Sequence, residues 1–202
     1  MRILVLLFFA AILTACQSLY QSSERKVMVA EEVGFSLLSS VPFEDGLRLT
    51  QSATAEYNNE SHDLIFQTEI RQGNLAMVGL TPTGTRLFTI ILKQGEITAE
   101  GLSAIVENIK PDYLLADLQL SLWPAAEIQQ ALSGGKIITA PSGQRLITRN
   151  NQPIIQIEYS QQPAYEGTIR FNHLERGYSL YIEPLSIETI DQPFPENSNN
   201  DL

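Results

Sequence analysis

Residues 111–124, with the sequence PDYLLADLQLSLWP, form the segment on which the predicted fold depends. Leu114, Leu118 and Leu122 recur every fourth residue, which places them along one face of a helix. Pro111 suits the first turn of that helix, and Pro124 ends it. Other apolar side chains fill most of the remaining circumference: Leu115, Ala116, Leu120 and Trp123. Because a helix that is apolar nearly all round is unfavourable on a wet surface, we expect apolar surroundings on two sides of it.

Short runs typical of β-strands, separated by turn residues, lie on both sides of this segment. Before it, strands are predicted between residues 47 and 100. After it, strands are predicted between residues 136 and 183, with a last edge strand at 187–190. Residues 27–40 fit either a short helix or an entry strand. The pattern is typical of an antiparallel meander with short connections.

The helical insertion between the two groups of strands covers residues 102–132. Helices are predicted at 102–109, from Pro111 to residue 123, and at 125–132, where Gly134 and Gly135 provide a stop. A sheet of roughly nine to eleven strands does not stay flat and open, so it is expected to curl. The predicted fold is therefore mainly β with an α insertion: a curved antiparallel half-barrel sheet with a helical lid from the middle of the chain.

Composition limits the possible partners. The 202 residues suit one domain of ordinary size, and the 44% apolar and 18% charged fractions are those of a globular chain. The formal net charge of −10 repels phosphate backbones, so nucleic acid is not expected as a partner. The single cysteine excludes an intramolecular disulfide and a site with several thiolates. No metal and no cofactor is predicted.

The N-terminus predicts export. An apolar run at residues 3–13 follows Arg2; it is shorter than the about 20 residues that span a bilayer, and it fits a secretory signal peptide. The following LTAC, which ends at Cys16, resembles a bacterial lipobox. That resemblance implies a lipidated cysteine bearing acyl chains such as palmitate. Because Gln17 rather than Asp follows it, the resemblance also implies sorting to the cell outer membrane, facing the periplasm. The alternative is an ordinary signal peptide with a cysteine there by chance.

The predicted domain organisation follows from these boundaries. Residues 1–15 form the lipoprotein signal peptide and residues 16–26 the lipidated tether. A single half-barrel domain is predicted at 27–191, with the helical insertion inside it. The tail at 192–202, rich in Pro, Asn, Ser and acidic residues, is predicted to be disordered.

No catalytic motif supports an enzyme. Residues 101–105, GLSAI, lack the second glycine of a Gly-x-Ser-x-Gly elbow. His62 and His173 could share a site, but solvated positions at loop edges are the preferred interpretation. Asp112 and Asp117 are about 140° apart around a helix, which argues against an acid pair, and Asp112 favours the helix N-terminus. The protein is therefore predicted not to be an enzyme.

The candidate site is apolar. A cavity beneath the lid is predicted to bind a hydrophobic ligand through helical residues Leu114, Leu115, Leu118, Leu122 and Trp123 and strand residues Phe66, Phe88, Ile90, Ile157, Phe171 and Leu180. The alternative is that these side chains fill an ordinary core. Three arginines in the late strands either line an entrance that meets an anionic headgroup or lie on a solvated strand face: Arg145, Arg149 and Arg170.

The segment LADLQLSLWP at residues 115–124 resembles a family of bacterial outer-membrane lipoproteins often encoded within aryl-polyene pigment clusters. The runs QIEY at 156–159 and YSLYIE at 178–183 support the resemblance, which extends from about residue 47 to 188. The family supplies no catalytic residues. More distantly, the arrangement is similar to the lipoprotein carriers and receptors of the Lol sorting pathway, whose half-barrels shelter acyl chains beneath a helical lid.

Three functions remain open on this evidence. The first is an outer-membrane lipoprotein that binds an acyl chain, a lipoprotein or an aryl-polyene lipid and assists its transfer or membrane insertion, with a periplasmic carrier protein as a further partner. The second is a non-enzymatic interaction or scaffold lipoprotein with a solid core. The third is a periplasmic enzyme that acts on lipids.

Overall fold

A computed structural model describes residues 25–39, 42, 43, 45–71, 73–101 and 110–190. The described strands are β1 Lys26–Ala30, β2 Val33–Ser36, β3 Leu47–Tyr57, β4 Glu60–Arg71, β5 Asn74–Leu80, β6 Arg86–Lys93, β7 Glu96–Gly101, β8 Leu132–Ser133, β9 Lys136–Thr139, β10 Arg145–Arg149, β11 Gln152–Tyr159, β12 Ile169–His173 and β13 Tyr178–Thr189. The described helices are α1 Pro111–Leu122, α2 Ala125–Ala131 and a short 3-10 helix, Ala164–Glu166.

The large sheet has ten antiparallel strands in the order β7-β6-β5-β4-β3-β13-β12-β11-β10-β9. The chain builds the half β3–β7 before the helices and the half β9–β13 after them. The halves join where β13 pairs with β3, from Tyr178 opposite Tyr57 to Thr189 opposite Leu47. The two edge strands do not pair with each other, so the sheet is curved but not closed. The predicted half-barrel with a helical insertion is confirmed.

A second, three-stranded sheet resolves the ambiguity over residues 27–40. β1 and β2 form a hairpin, and β2 pairs with β8. The third predicted helix is one residue too long, because Leu132 leaves α2 to pair with Phe35 in this small sheet. The last strand is also different from the prediction. Residues 187–190 do not form a separate edge strand, since β13 continues through a bulge and stays paired with β3.

The core lies between the concave face of the ten-stranded sheet, α1 and the small sheet. Side chains from all three contribute to one buried cluster, among them Leu49, Ile90, Leu115, Trp123 and Phe35. The alternation of buried and exposed residues along β3 and β6 places one side of each strand in this core. α1 therefore lies across the inside of the curve, where it positions the candidate site.

Several predictions concern residues outside the described ranges. These are the signal peptide with Cys16, most of the tether, the helix at 102–109 and the tail at 192–202. Among the helices that the structure describes, none has the length and apolar character needed to cross a membrane.

Candidate functional site

A narrow cleft separates one side of α1 from the concave face of the large sheet. Its volume is about 50 Å³. Most of its lining is apolar: Phe66, Met77, Leu114, Leu118, Leu122, Ile169, Leu180 and Ile182. Four polar residues complete it: Gln51, Thr68, Asp117 and Ser121. The combination of an apolar wall with a few polar groups is typical of a site for a small apolar ligand.

The cleft is nearly closed in this conformation. A volume of about 50 Å³ accommodates only one or two water-sized groups, whereas ligand pockets measure roughly 300–1,000 Å³. The side chains of the concave face and of α1 therefore fill most of the space predicted as a cavity. A lipid chain fits here only if α1 moves away from the sheet.

The predicted site residues fall into two groups. Five of them line the cleft: Leu114, Leu118, Leu122, Phe66 and Leu180. The other six are buried in the core and are at most 2% exposed: Leu115, Trp123, Phe88, Ile90, Ile157 and Phe171. The structure thus assigns the two sides of the apolar helix to different surroundings, which the sequence pattern treats alike.

The sequence-based site omitted seven lining residues: Gln51, Thr68, Met77, Asp117, Ser121, Ile169 and Ile182. The alternation of side chains along the strands could have identified two of these residues. Gln51 lies two residues beyond buried Leu49 on β3, and Thr68 lies two residues before buried Ile70 on β4. Side chains two apart share a face, so both polar residues belong to the concave side.

The C-terminal end of α1 is held by Arg145. Its Nη1 donates hydrogen bonds to the carbonyls of Leu120 at 3.0 Å, Ser121 at 3.1 Å and Trp123 at 2.8 Å. The Tyr159 hydroxyl donates to the Ser121 carbonyl at 2.8 Å, and burial raises the pKa of Tyr159 to about 12. A cation that satisfies the last carbonyls of a helix also complements the helix dipole.

Gln119 fixes the packed side of α1. The side chain is fully buried. Its Nε2 donates to the Leu38 carbonyl and its Oε1 accepts from the Leu38 N–H, both at 2.8 Å. This pair of bonds satisfies a buried amide and ties the helix to the segment after β2.

Asp117 lies on the cleft side of α1 and bonds to the sheet. The Tyr178 hydroxyl donates to Oδ2 of Asp117 at 2.6 Å, and Tyr178 itself stacks on Phe171. Burial raises the pKa of the Asp117 carboxyl to about 7, although the Tyr178 hydrogen bond and the charge of Arg176 both oppose that shift. Burial and the nearby Asp117 together raise the pKa of Tyr178.

The two histidines differ. His62 is exposed, as predicted, and lies 3.6 Å from a Glu60 carboxylate oxygen. The expectation for His173 was wrong, because only 1% of it is exposed. Its Nε2 is 2.7 Å from the Val29 carbonyl, its Nδ1 accepts from the Arg176 N–H at 3.2 Å, and burial lowers its pKa. The contact with β1 explains the burial, since the small sheet covers this end of β12.

None of the three late-strand arginines lines the described cleft. Arg145 binds the end of α1. Arg149 pairs with Glu175 at 3.0 Å, and Arg170 lies over the Tyr181 ring, 5.0 Å from its centroid. At the other end of α1, Asp112 lies in the first turn, where a carboxylate is favourable, and it forms an ion pair with Arg25 at 3.3 Å. Within the described residues, no group of three or more potential His, Cys, Asp or Glu ligands could hold a metal.

Comparison with known proteins identifies the family. The chain belongs to the family described as "Protein of unknown function (DUF3261)", whose sequence pattern matches residues 48–186. Its structure is similar to that of a LolA superfamily protein from Nitrosomonas europaea, at 9% identity and a TM-score of 0.39, over 77% of this chain and 91% of that chain. It is also similar to a DUF1329 family protein from Desulfovibrio piger, at 8% identity and a TM-score of 0.35, over 73% and 87% of the respective chains. No curated protein sequence matches the chain.

Proposed function

We propose that this DUF3261 protein is a non-enzymatic carrier or receptor that binds the apolar chain of a lipid between α1 and the concave face of the large sheet. One observation carries the proposal. Half-buried leucines of α1, Leu114 and Leu118, face half-buried side chains of the sheet, Phe66, Leu180 and Ile182, across a cleft. Parts of both apolar surfaces remain exposed, so the apolar chain of a lipid placed between them would bury both.

The dimensions of the cleft suit a single chain. Leu114 and Leu122 are eight residues apart on α1, which corresponds to about 12 Å along the helix axis. Burial of about ten methylenes beside this row would contribute about 8 kcal/mol, before the cost of moving the helix is subtracted. No covalent step is needed for such binding.

The contacts of α1 indicate how room is made. Its C-terminal end is held by the three carbonyl bonds from Arg145. Its N-terminal end is held by two partly exposed contacts. Arg25 forms an ion pair with Asp112, whose side chains are 49% and 34% exposed, and such exposed pairs contribute little. Arg176 lies over the Tyr113 ring, 4.0 Å from its centroid. We therefore propose that α1 tilts about its C-terminal end so that its cleft side separates from the sheet and the hydrogen bond from Tyr178 to Asp117 breaks, while fully buried Leu115 stays in the core.

The proposed location is the periplasmic face of the outer membrane, with a lipid anchor on Cys16. Cys16 and Arg25 are nine positions apart in the sequence, a reach of at most about 30 Å, which would let the cleft approach the membrane. Acyl chains of lipids or lipoproteins and aryl-polyene lipids are the proposed ligands, and a periplasmic carrier protein is a proposed partner. Labelling of cells with an alkyne analogue of palmitate tests the anchor: the full chain should be labelled and a C16A variant should not.

Ligand binding is tested by filling the cleft. In the purified protein, Leu118→Trp should lower the affinity for a fluorescent fatty acid at least tenfold, and it should remove lipid that mass spectrometry detects in organic extracts. Leu174→Trp is the matched control, since Leu174 is a 50% exposed leucine in the turn between β12 and β13. Protein that is consistently empty of lipid and does not bind the fatty acid would contradict the proposal.

The small cavity favours a second candidate, an interaction or scaffold lipoprotein with a solid core. A volume of about 50 Å³ needs no ligand to explain it. In that case the L118W variant and the wild type should show the same absence of bound lipid, and the protein should co-purify stably with a membrane protein complex. The binding experiment therefore distinguishes the two candidates.

A further inference from the structure

The floor of the cleft contains a hydroxyl group that lacks a partner. Thr68 on β4 is 1% exposed, and its Oγ1 forms no hydrogen bond within the described structure. The other hydroxyl of the lining behaves differently, since Ser121 Oγ donates to the Asp117 carbonyl at 2.7 Å. Buried polar groups are nearly always hydrogen-bonded, so an unpartnered one beside a cleft points to a group that is supplied from outside.

A second polar side chain lies next to Thr68. In the β3–β4 register, Thr68 is opposite Leu49 and Phe66 is opposite Gln51. Gln51 and Thr68 are therefore diagonal neighbours on the concave face, a separation of about 7–8 Å. Gln51 is 4% exposed and lines the same cleft, and its amide can both donate and accept. The two residues form one polar spot on an apolar floor.

The charge of the cleft restricts what can bind at this spot. No Arg, Lys or His is among its described lining residues, and Asp117 contributes a carboxyl group. An anionic group placed inside the cleft would find no cation among these lining residues to replace its hydration, whereas a neutral oxygen loses far less when it is buried.

We propose that the cleft binds an apolar chain that carries a neutral oxygen group, a hydroxyl or an ester carbonyl, partway along its length, and that this oxygen accepts hydrogen bonds from the Thr68 hydroxyl and the Gln51 amide. This inference rests on the proposed function, because it specifies the chemistry of the same ligand. Apolar side chains on both sides of the polar spot bind the rest of the chain. Any charged headgroup stays at the open mouth of the cleft.

A series of soluble fatty acids tests the inference. Stearate is compared with stearates that carry one hydroxyl at successive positions, each used to displace a fluorescent naphthylamine from the purified protein. Because Thr68 lies at a fixed depth, the hydroxyl should increase affinity at one region of the chain and not at others. One net hydrogen bond corresponds to an about fivefold preference for the best isomer over stearate.

Two threonine variants identify the group responsible. Thr68→Val preserves the shape of the side chain and should remove the preference, so that the best hydroxystearate and stearate bind with equal affinity. Thr89→Val is the matched control, because Thr89 Oγ1 is also buried without a partner in the described structure. Thr89 lies between Phe88 and Ile90 on β6, both of which face the core, so its own side chain is on the opposite face of the sheet. The T89V variant should keep the full preference.

The outcomes separate this inference from the proposed function. If stearate and every hydroxystearate bind equally well, or if T68V retains the preference, the inference is overturned and the carrier function stands. If no chain binds to the wild type, both are overturned. A preference at one chain position that T68V removes and T89V keeps supports both.

Discussion

The two sides of α1 have similar residues and different surroundings. On one side, Leu115, Leu120 and Trp123 are at most 1% exposed and belong to the common core. On the other, Leu114 and Leu118 are only half-buried and border the cleft. The packed side fixes the helix to the protein, and the cleft side offers a surface that a ligand can cover. An apolar circumference therefore reflects two distinct roles within one helix.

Polar contacts follow the same division. On the packed side, the Gln119 amide satisfies both backbone groups of Leu38. On the cleft side, the Tyr178 hydroxyl donates to the Asp117 carboxyl group, whose charged form is disfavoured by burial. The packed side is thus held by neutral, reciprocal bonds, while the cleft side is held by a contact whose strength depends on protonation.

Truncation of one leucine on each side of α1 should give the largest difference in stability between the two sides. Leu120→Ala removes a fully buried side chain and should lower the free energy of unfolding by about 2–5 kcal/mol. Leu118→Ala removes a half-buried one and should lower it by about 1 kcal/mol or less, because water already reaches part of the site. Urea denaturation of both variants measures the difference. Equal losses would show that the cleft side is packed as tightly as the core side.

The carboxyl group of Asp117 should make stability depend on pH. Its pKa is raised from the ordinary value of 3.8 to about 7 in the folded protein, mainly by burial. Between these values the folded state retains a proton that the unfolded state releases. Its contribution to stability is therefore present below pH 4 and is lost as pH rises through 7.

Asp117→Asn isolates this effect. The asparagine side chain does not ionise, and its oxygen can still accept a hydrogen bond from Tyr178. The free energy of unfolding of the variant should therefore exceed that of the wild type by about 1–4 kcal/mol between pH 4 and pH 8. Urea unfolding at each pH gives the difference. Asp63→Asn is a suitable control, because Asp63 is exposed and also accepts a side-chain hydroxyl bond, from Thr54 at 2.7 Å. A D117N difference that does not change with pH would contradict the assignment.

Replacement of Arg145 should lower the stability less than truncation of Leu120 but more than replacement of a surface cation. Arg145→Ala removes three hydrogen bonds to the end of α1 and should lower stability by about 1–3 kcal/mol. Faster hydrogen exchange of α1 amides would accompany the loss. Arg170→Ala removes only an exposed contact with the Tyr181 ring and should cost about 0.5 kcal/mol. Similar effects of the two variants would mean that Arg145 does not fix the helix.

The local patterns predicted much of the fold. Alternation and turn residues predicted the antiparallel strands, and leucine spacing with flanking prolines predicted α1. Strand β13 is an element that local patterns do not predict correctly. Pro184 lacks an N–H and interrupts the strand pattern, which favours two separate strands, but a bulge between Pro184 and Ser186 lets β13 continue along β3. The strand β3 that pairs with β13 lies more than a hundred residues earlier in the chain, so no local sequence pattern predicts this pairing.

The candidate site was predicted in part for a related reason. The periodicity of α1 shows that it is apolar on all sides, and so it cannot indicate which leucines meet the core and which border the cleft. The two polar residues on the floor of the cleft could have been predicted from the sequence, because Gln51 and Thr68 occupy core-facing positions of their strands. Its significance depends on the Thr68 hydroxyl having no partner among the described residues, which only the assembled structure reveals.

The pairing of β13 with β3 makes the folding of this protein a late event. β3 has no partner on this edge until residues 178–189 have been synthesised, so the first half of the large sheet has an unprotected edge until then. Such long-range pairing slows folding and leaves an edge open to aggregation. Chaperones would be expected to influence its yield, and removal of the residues from 178 onward would separate the halves on either side of the cleft.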